Sequence, residues 1–183
     1  MVDISTDTPQ AQTGLRERTI LFLLLGLGGL FILVGSVWLV ANWLVIGQGN
    51  VTTPTSLADL RLSRQITGRA ALADIERLHG KDFPMTDGAI AFYDNEQAIL
   101  WISTTWLPFM AARQVEAMTE RIAEGRSPFT PVEKRQVEGI TVNVLTGMGQ
   151  VHYYFQLDRR VVWLAVSPQL AEQSLEEIIR KLQ

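Results

Sequence analysis

"AFYDNEQAILWIS" (residues 91–103) and "YYFQLDRRVVWLA" (residues 153–165) run in the same order: an aromatic pair, a polar turn, then an apolar run that holds a tryptophan. Each reads as a β-hairpin, because two runs rich in aromatic and branched residues flank a short polar stretch. Each is followed by a proline and an amphipathic segment, "PFMAARQVEAMTERI" (108–122) and "PQLAEQSLEEIIRKL" (168–182). Proline suits the first turn of a helix, so both segments read as helices opened by Pro108 and Pro168. Even the lead-ins recur, as "RQITG" (64–68) and "RQVEG" (135–139). The sequence therefore predicts two related hairpin-helix halves, about 59–125 and 129–183. Strands in runs followed by helices predict an α+β fold, an antiparallel sheet with its helices packed on one face.

The remaining elements follow from periodicity. Apolar residues at Leu72, Ile75 and Leu78 make 69–79 a helix that stops at Gly80. The first hairpin takes 89–94 and 98–104 around Asn95-Glu96, and its helix turns Met110, Val115, Met118 and Ile122 inward. In the second half 132–137, 140–146, 150–156 and 160–166 read as strands, and the last helix carries Leu170, Leu175, Ile178, Ile179 and Leu182 as its buried stripe. "TDGA" (86–89) reads as a turn before a strand, since Asp-Gly supplies the backbone freedom a turn needs. "TGMGQ" (146–150) lies between two strands, so its Gly-x-Gly predicts a hairpin turn rather than a phosphate loop, which needs a helix N-terminus.

These strands pose a packing problem. In 161–166, Val162, Leu164 and Val166 lie on one side while Val161, Trp163 and Ala165 lie on the other. Leu100 and Ile102 likewise oppose Ile99 and Trp101. If two amphipathic helices cover one face, the second face needs another cover, either the helix at 69–79 or a ligand or partner held on an aromatic surface around Trp101, His152, Tyr153 and Trp163.

Upstream of this domain the chain is lipid-like. From Ile20 to Ile46 there are 27 residues without a charge, about 40 Å as a helix, more than the roughly 30 Å hydrocarbon core of a bilayer. The run is too long for a usual signal core and no Ala-x-Ala site follows it, so it reads as an uncleaved anchor. The expected organisation is a cytoplasmic tail at 1–18, a transmembrane helix at 19–46, an extended tether at 47–58 and an extracytoplasmic α+β domain at 59–183. Arg16 and Arg18 precede the span and no Lys or Arg follows until Arg61, which predicts a cytoplasmic N-terminus and an outer C-terminal domain. Gly28, Gly35 and Asn42 lie seven residues apart, with Gly29 and Ser36 beside two of them. Small residues on one face of a membrane helix let another helix approach closely, so these five positions are the candidate helix interface.

The chemistry a sequence can display is sparse here. A net charge of -3 provides no field for nucleic acid. Without cysteine, disulfides, thiolate metal sites and thiol nucleophiles are excluded together. His79 and His152 are the two imidazoles, and no neighbouring carboxylate spacing resembles a metal site. No catalytic constellation, metal or cofactor is expected. The sequence points to a single-pass cell-membrane protein of non-catalytic role, an accessory subunit or interaction module beside another membrane protein. The alternative is a tethered sensor or carrier for an apolar small molecule.

Overall fold

The computed structural model describes residues 13–79, 84–125 and 127–183, and for residues 13–18, 42, 43, 45 and 79 it describes the backbone alone. The chain divides into two compact units, up to Leu44 and from Val45 onward. In the first, helix α1 (Thr13–Val45) contains one stretch, Thr19–Ala41, long and apolar enough to cross a membrane. The expected tail at 1–18 falls outside the described residues up to position 12, and α1 begins at Thr13.

The second unit is an α+β domain built on one antiparallel sheet of eight strands. In chain order it runs β1 (Ser56–Leu57), β2 (Leu60–Thr67), α2 (Gly68–His79), β3 (Met85–Tyr93), β4 (Ala98–Thr105), α3 (Pro108–Ala123), β5 (Thr130–Val137), β6 (Ile140–Gly147), β7 (Gln150–Leu157), β8 (Arg160–Val166) and α4 (Ala171–Leu182). Across the sheet the order is β1-β2-β3-β4-β8-β7-β6-β5, so the two hairpins meet at the centre. There β4 pairs with β8 in a register that sets Trp101 opposite Trp163, Ile99 opposite Ala165 and Ser103 opposite Val161.

The helices that follow the two hairpins lie on opposite faces of the sheet. This corrects the expectation that both amphipathic helices, 108–122 and 168–182, cover one face. Leu175, Ile178 and Ile179 of α4 are buried against Leu100, Ile102, Val162, Leu164, Tyr153 and Phe155. Ala111, Met118 and Ile122 of α3 pack instead on Leu145, Tyr154, Val161 and Trp163, which point the other way from the same strands. Helix α2 joins α3 on this second face, setting Ala71, Leu72 and Ile75 on Ile90, Phe92, Ile99 and Trp101. The result is three layers, which a sheet with two apolar faces requires.

Two local expectations also change. "TDGA" lies within β3, where the register with β4 shifts between Met85 and Asp87. The segment 47–58, expected as a tether, is extended but bound to the sheet. Gly47 N donates to Thr86 O at 2.7 Å. Gly49 N and Asn50 N donate to the two oxygens of the Asp87 carboxylate at 3.1 and 2.7 Å, and Gly88 N donates to Asp87 Oδ1 at 2.9 Å. Gly47 and Gly68 cross closely: a Cβ on Gly68, which has φ +65, would stand 2.5 Å from Gly47 O. From there the segment follows β2, with Leu62 N donating to Thr55 O and Tyr93 Oη donating to Pro54 O. Ile46 packs with the α2 cluster and Val51 with the α4 cluster, so the segment wraps around the edge of the sheet. At the far edge β5 is largely exposed and carries Pro131, Glu133, Lys134 and Arg135.

Asp87 is the polar fastener of this wrap. It is 9% exposed and accepts three backbone N–H groups. Replacing it with alanine leaves those donors unanswered, which costs about 2–3 kcal/mol of unfolding free energy. Glu116→Ala, on the exposed side of α3, should stay within about 0.5 kcal/mol. Urea titration of the two variants measures the difference.

Candidate functional site

Between α2 and α3 the second face of the sheet is not fully covered. A cavity of about 520 Å³ remains, and its floor is the central ladder. Three cross-strand pairs make that floor: Ile99 with Ala165, Trp101 with Trp163, and Ser103 with Val161. Ala165 and Ser103 are small, so the space above the strands lies beside the indoles rather than being filled by larger side chains. Ile75 and Leu78 of α2 form one wall, and Gln114, Met118, Arg121 and Ile122 of α3 form the other. Met148 and Gln150 from the β6–β7 turn, with Ser127, Pro128 and Phe129, close one end. Among the described residues of this lining Arg121 is the one charged side chain, and the rest are mostly aliphatic, thioether or aromatic.

The aromatic end is held by directional contacts. Trp163 Nε1 donates to His152 Nδ1 at 3.2 Å, and His152 Nε2 lies 3.0 Å from Gly147 O. Both contacts are met by one tautomer, the neutral ring with its proton on Nε2. The Phe129 ring lies 4.6 Å from His152 and 5.1 Å from Trp163 between centroids. Tyr154 stacks on Trp163 at 5.3 Å and shares a 2.9 Å hydrogen bond with Thr119 of α3. Burial pushes the Tyr154 hydroxyl above its usual range, against the opposing hydrogen bond to Thr119. Trp163 is thereby fixed on two sides.

Of the four residues expected on the aromatic face, Trp101, His152 and Trp163 converge on the cavity. Tyr153 does not. It pairs with Leu164 and lies in the α4 core, where its hydroxyl donates to Glu172 Oε1 at 3.1 Å. Burial, followed by the neighbouring Glu172 carboxylate, holds that phenol well above its ordinary range. Tyr154 takes the place expected of Tyr153. Leu78 is 67% exposed and lines the cavity, so α2 leaves an apolar lip there. Gln114 escaped the sequence reading because it is polar, although it lies three residues after Ala111 and four before Met118 in the inward stripe.

The candidate helix interface lies on α1. Gly28, Gly29, Gly35 and Ser36 are all exposed, and a Cβ built on any of the three glycines meets no atom within 4 Å. The side chains of Asn42 and His79 lie outside the described residues, and with His79 the question of a histidine pair. Among the described residues no group of three or more His, Asp or Glu could hold a metal ion. No protein-family model matches the chain, and no curated protein or solved structure matches it.

Burial lowers the His152 pKa from its ordinary value, against the Gly147 carbonyl, which favours the proton. The unfolded chain therefore takes up a proton near pH 6.5 while the folded domain still excludes it. The stability this ring contributes is complete above about pH 6.5 and declines as pH falls, by at most about 1.4 kcal/mol per pH unit for one proton. Protonation of Nδ1 would also set a donor against the Trp163 N–H. Urea unfolding at pH 7.5 and 5.5 should show this loss in the unaltered protein, and His152→Gln should be flatter over that interval.

Proposed function

We propose that this chain is a membrane-anchored, non-catalytic binding module, a sensor or carrier whose outer domain takes an apolar small molecule between α2 and α3. The observation that carries this reading is the cavity over Trp101 and Trp163, about 520 Å³, within the roughly 300–1,000 Å³ range of small-molecule sites. Its apolar lining favours a hydrophobic occupant. His152 has both ring nitrogens engaged, which leaves it no free nitrogen to act as a base. Helix α1 supplies the anchor, and Arg16 and Arg18 before it favour a cytoplasmic N-terminus with the domain outside the cell membrane.

A ligand that binds only the folded state raises its stability by RT ln(1 + L/Kd), where L is the free ligand concentration. With the full chain in phospholipid nanodiscs, saturating diphenylmethane or benzophenone should raise the thermal midpoint of the domain by several degrees. Ala165→Leu, which fills the floor, should abolish the rise. A midpoint that neither compound moves would count against the reading.

A second role, as accessory subunit of a membrane assembly, draws on α1. A Cβ added at Gly28 or Gly35 meets nothing within 4 Å, so leucine there should remove chiefly the close approach of another helix. Extraction of the full chain from its own membrane in mild detergent should recover a stoichiometric partner. Gly28→Leu, Gly35→Leu and Ser36→Leu together should lose it, and recovery of both forms alone would remove this role.

A further inference from the structure

The wall of the cavity holds a polar group that the domain itself leaves unanswered. Gln114 is 5% exposed, and its Nε2 is sealed from solvent with no hydrogen-bond partner among the described residues. It occupies a core position of α3, between Ala111 and Met118, that a leucine or methionine would fill. An amide N–H in such surroundings is destabilising unless it is met by an acceptor. The neighbouring polar groups do not meet it: His152 is engaged by Trp163 and Gly147, and the Tyr154 hydroxyl by Thr119.

Resting on the binding role above, we propose that the ligand of this cavity is an uncharged amphipathic molecule: its apolar body lies on the Trp101–Trp163 floor and a carbonyl or ether oxygen accepts a hydrogen bond from Gln114. The terminal amide torsion is broad and roughly two-fold, so the side chain can turn its donor toward a bound oxygen. A formal negative charge beside Gln114 would be desolvated. The charged side chain described in the lining, Arg121, stands seven residues further along α3, about 10 Å away by the helical rise. A site built around an unmet hydrogen-bonding group discriminates strongly against an analogue that lacks the complementary atom.

Benzophenone and diphenylmethane test this directly, because they share two phenyl rings and differ in one carbonyl. The full chain in phospholipid nanodiscs, with Trp38→Phe, Trp43→Phe and Trp106→Phe, reports binding through the fluorescence of Trp101 and Trp163. Gln114→Met should weaken benzophenone binding by roughly tenfold and leave diphenylmethane binding equal or tighter. Partition into the bilayer is common to both proteins and cancels in that comparison. In the protein with Gln114 intact, the carbonyl stretch of bound benzophenone should lie below its value in hydrocarbon, a readout that does not depend on the variant folding. If both compounds bind and Gln114→Met changes neither, with no shift of the stretch, the assignment to Gln114 is wrong while the cavity stands. Tighter binding of 4-benzoylbenzoate than of benzophenone would overturn the uncharged class. Failure of both neutral compounds to bind the unaltered floor would overturn the binding role and this inference together.

Discussion

The domain depends on one pairing, β4 with β8, whose side chains are apolar on both faces. Leu100, Ile102, Val162 and Leu164 point to one side, and Ile99, Trp101, Val161 and Trp163 to the other. Water cannot be left on either face of such a ladder without exposing a large contiguous apolar surface. One amphipathic helix meets the first requirement, and α4 covers that side with Leu175, Ile178 and Ile179. The second face is covered by two helices of different origin, α2 over β3 and α3 over β7 and β8. The space between them falls on the central pair. The cavity is thus a consequence of covering one face with two separate helices.

Much of this was legible in the chain, and the failures have identifiable causes. The positions of β3 to β8 and of the helices followed from alternation and from Pro108 and Pro168, whereas β1 and β2 were not read as strands and Pro168 opens a 3-10 turn ahead of α4. The side taken by α3 is a tertiary choice, decided by how "STTWLPF" (103–109) leaves β4, and periodicity says nothing about it. The exchange of Tyr153 for Tyr154 was within reach. A two-residue turn at Asp158-Arg159 fixes Leu157 opposite Arg160 and therefore Tyr154 opposite Trp163, and counting that register would have placed both tyrosines. Asp87 carried no such signal, because its partners are backbone N–H groups at Gly49 and Asn50, far away in sequence. Gln114 could have been flagged as a polar residue on an apolar helical stripe.

The floor and walls of the cavity differ in character. Cross-strand pairing, the Tyr154 stack and the Trp163–His152 hydrogen bond hold the floor. The rim and walls carry Met85, Met118 and Met148 together with the exposed Leu78. Methionine is unbranched and polarizable, and it adapts to irregular shapes. Under the binding role proposed above, a fixed aromatic floor beneath adaptable walls would suit a family of related molecules of varied outline more than one rigid shape.

The two borders of the sheet bear on self-association. An open strand edge is a template for another chain, and repeated pairing of that kind leads to fibres. Here the segment from Gly47 to Leu57 lies along β2, and β5 presents Pro131 with a run of charged side chains. Neither border offers the long, flat, uncharged ladder that growth by strand addition needs. Copies of this domain crowded on a surface are thereby kept from polymerising through their sheets, and a lateral neighbour must engage helices or side chains instead.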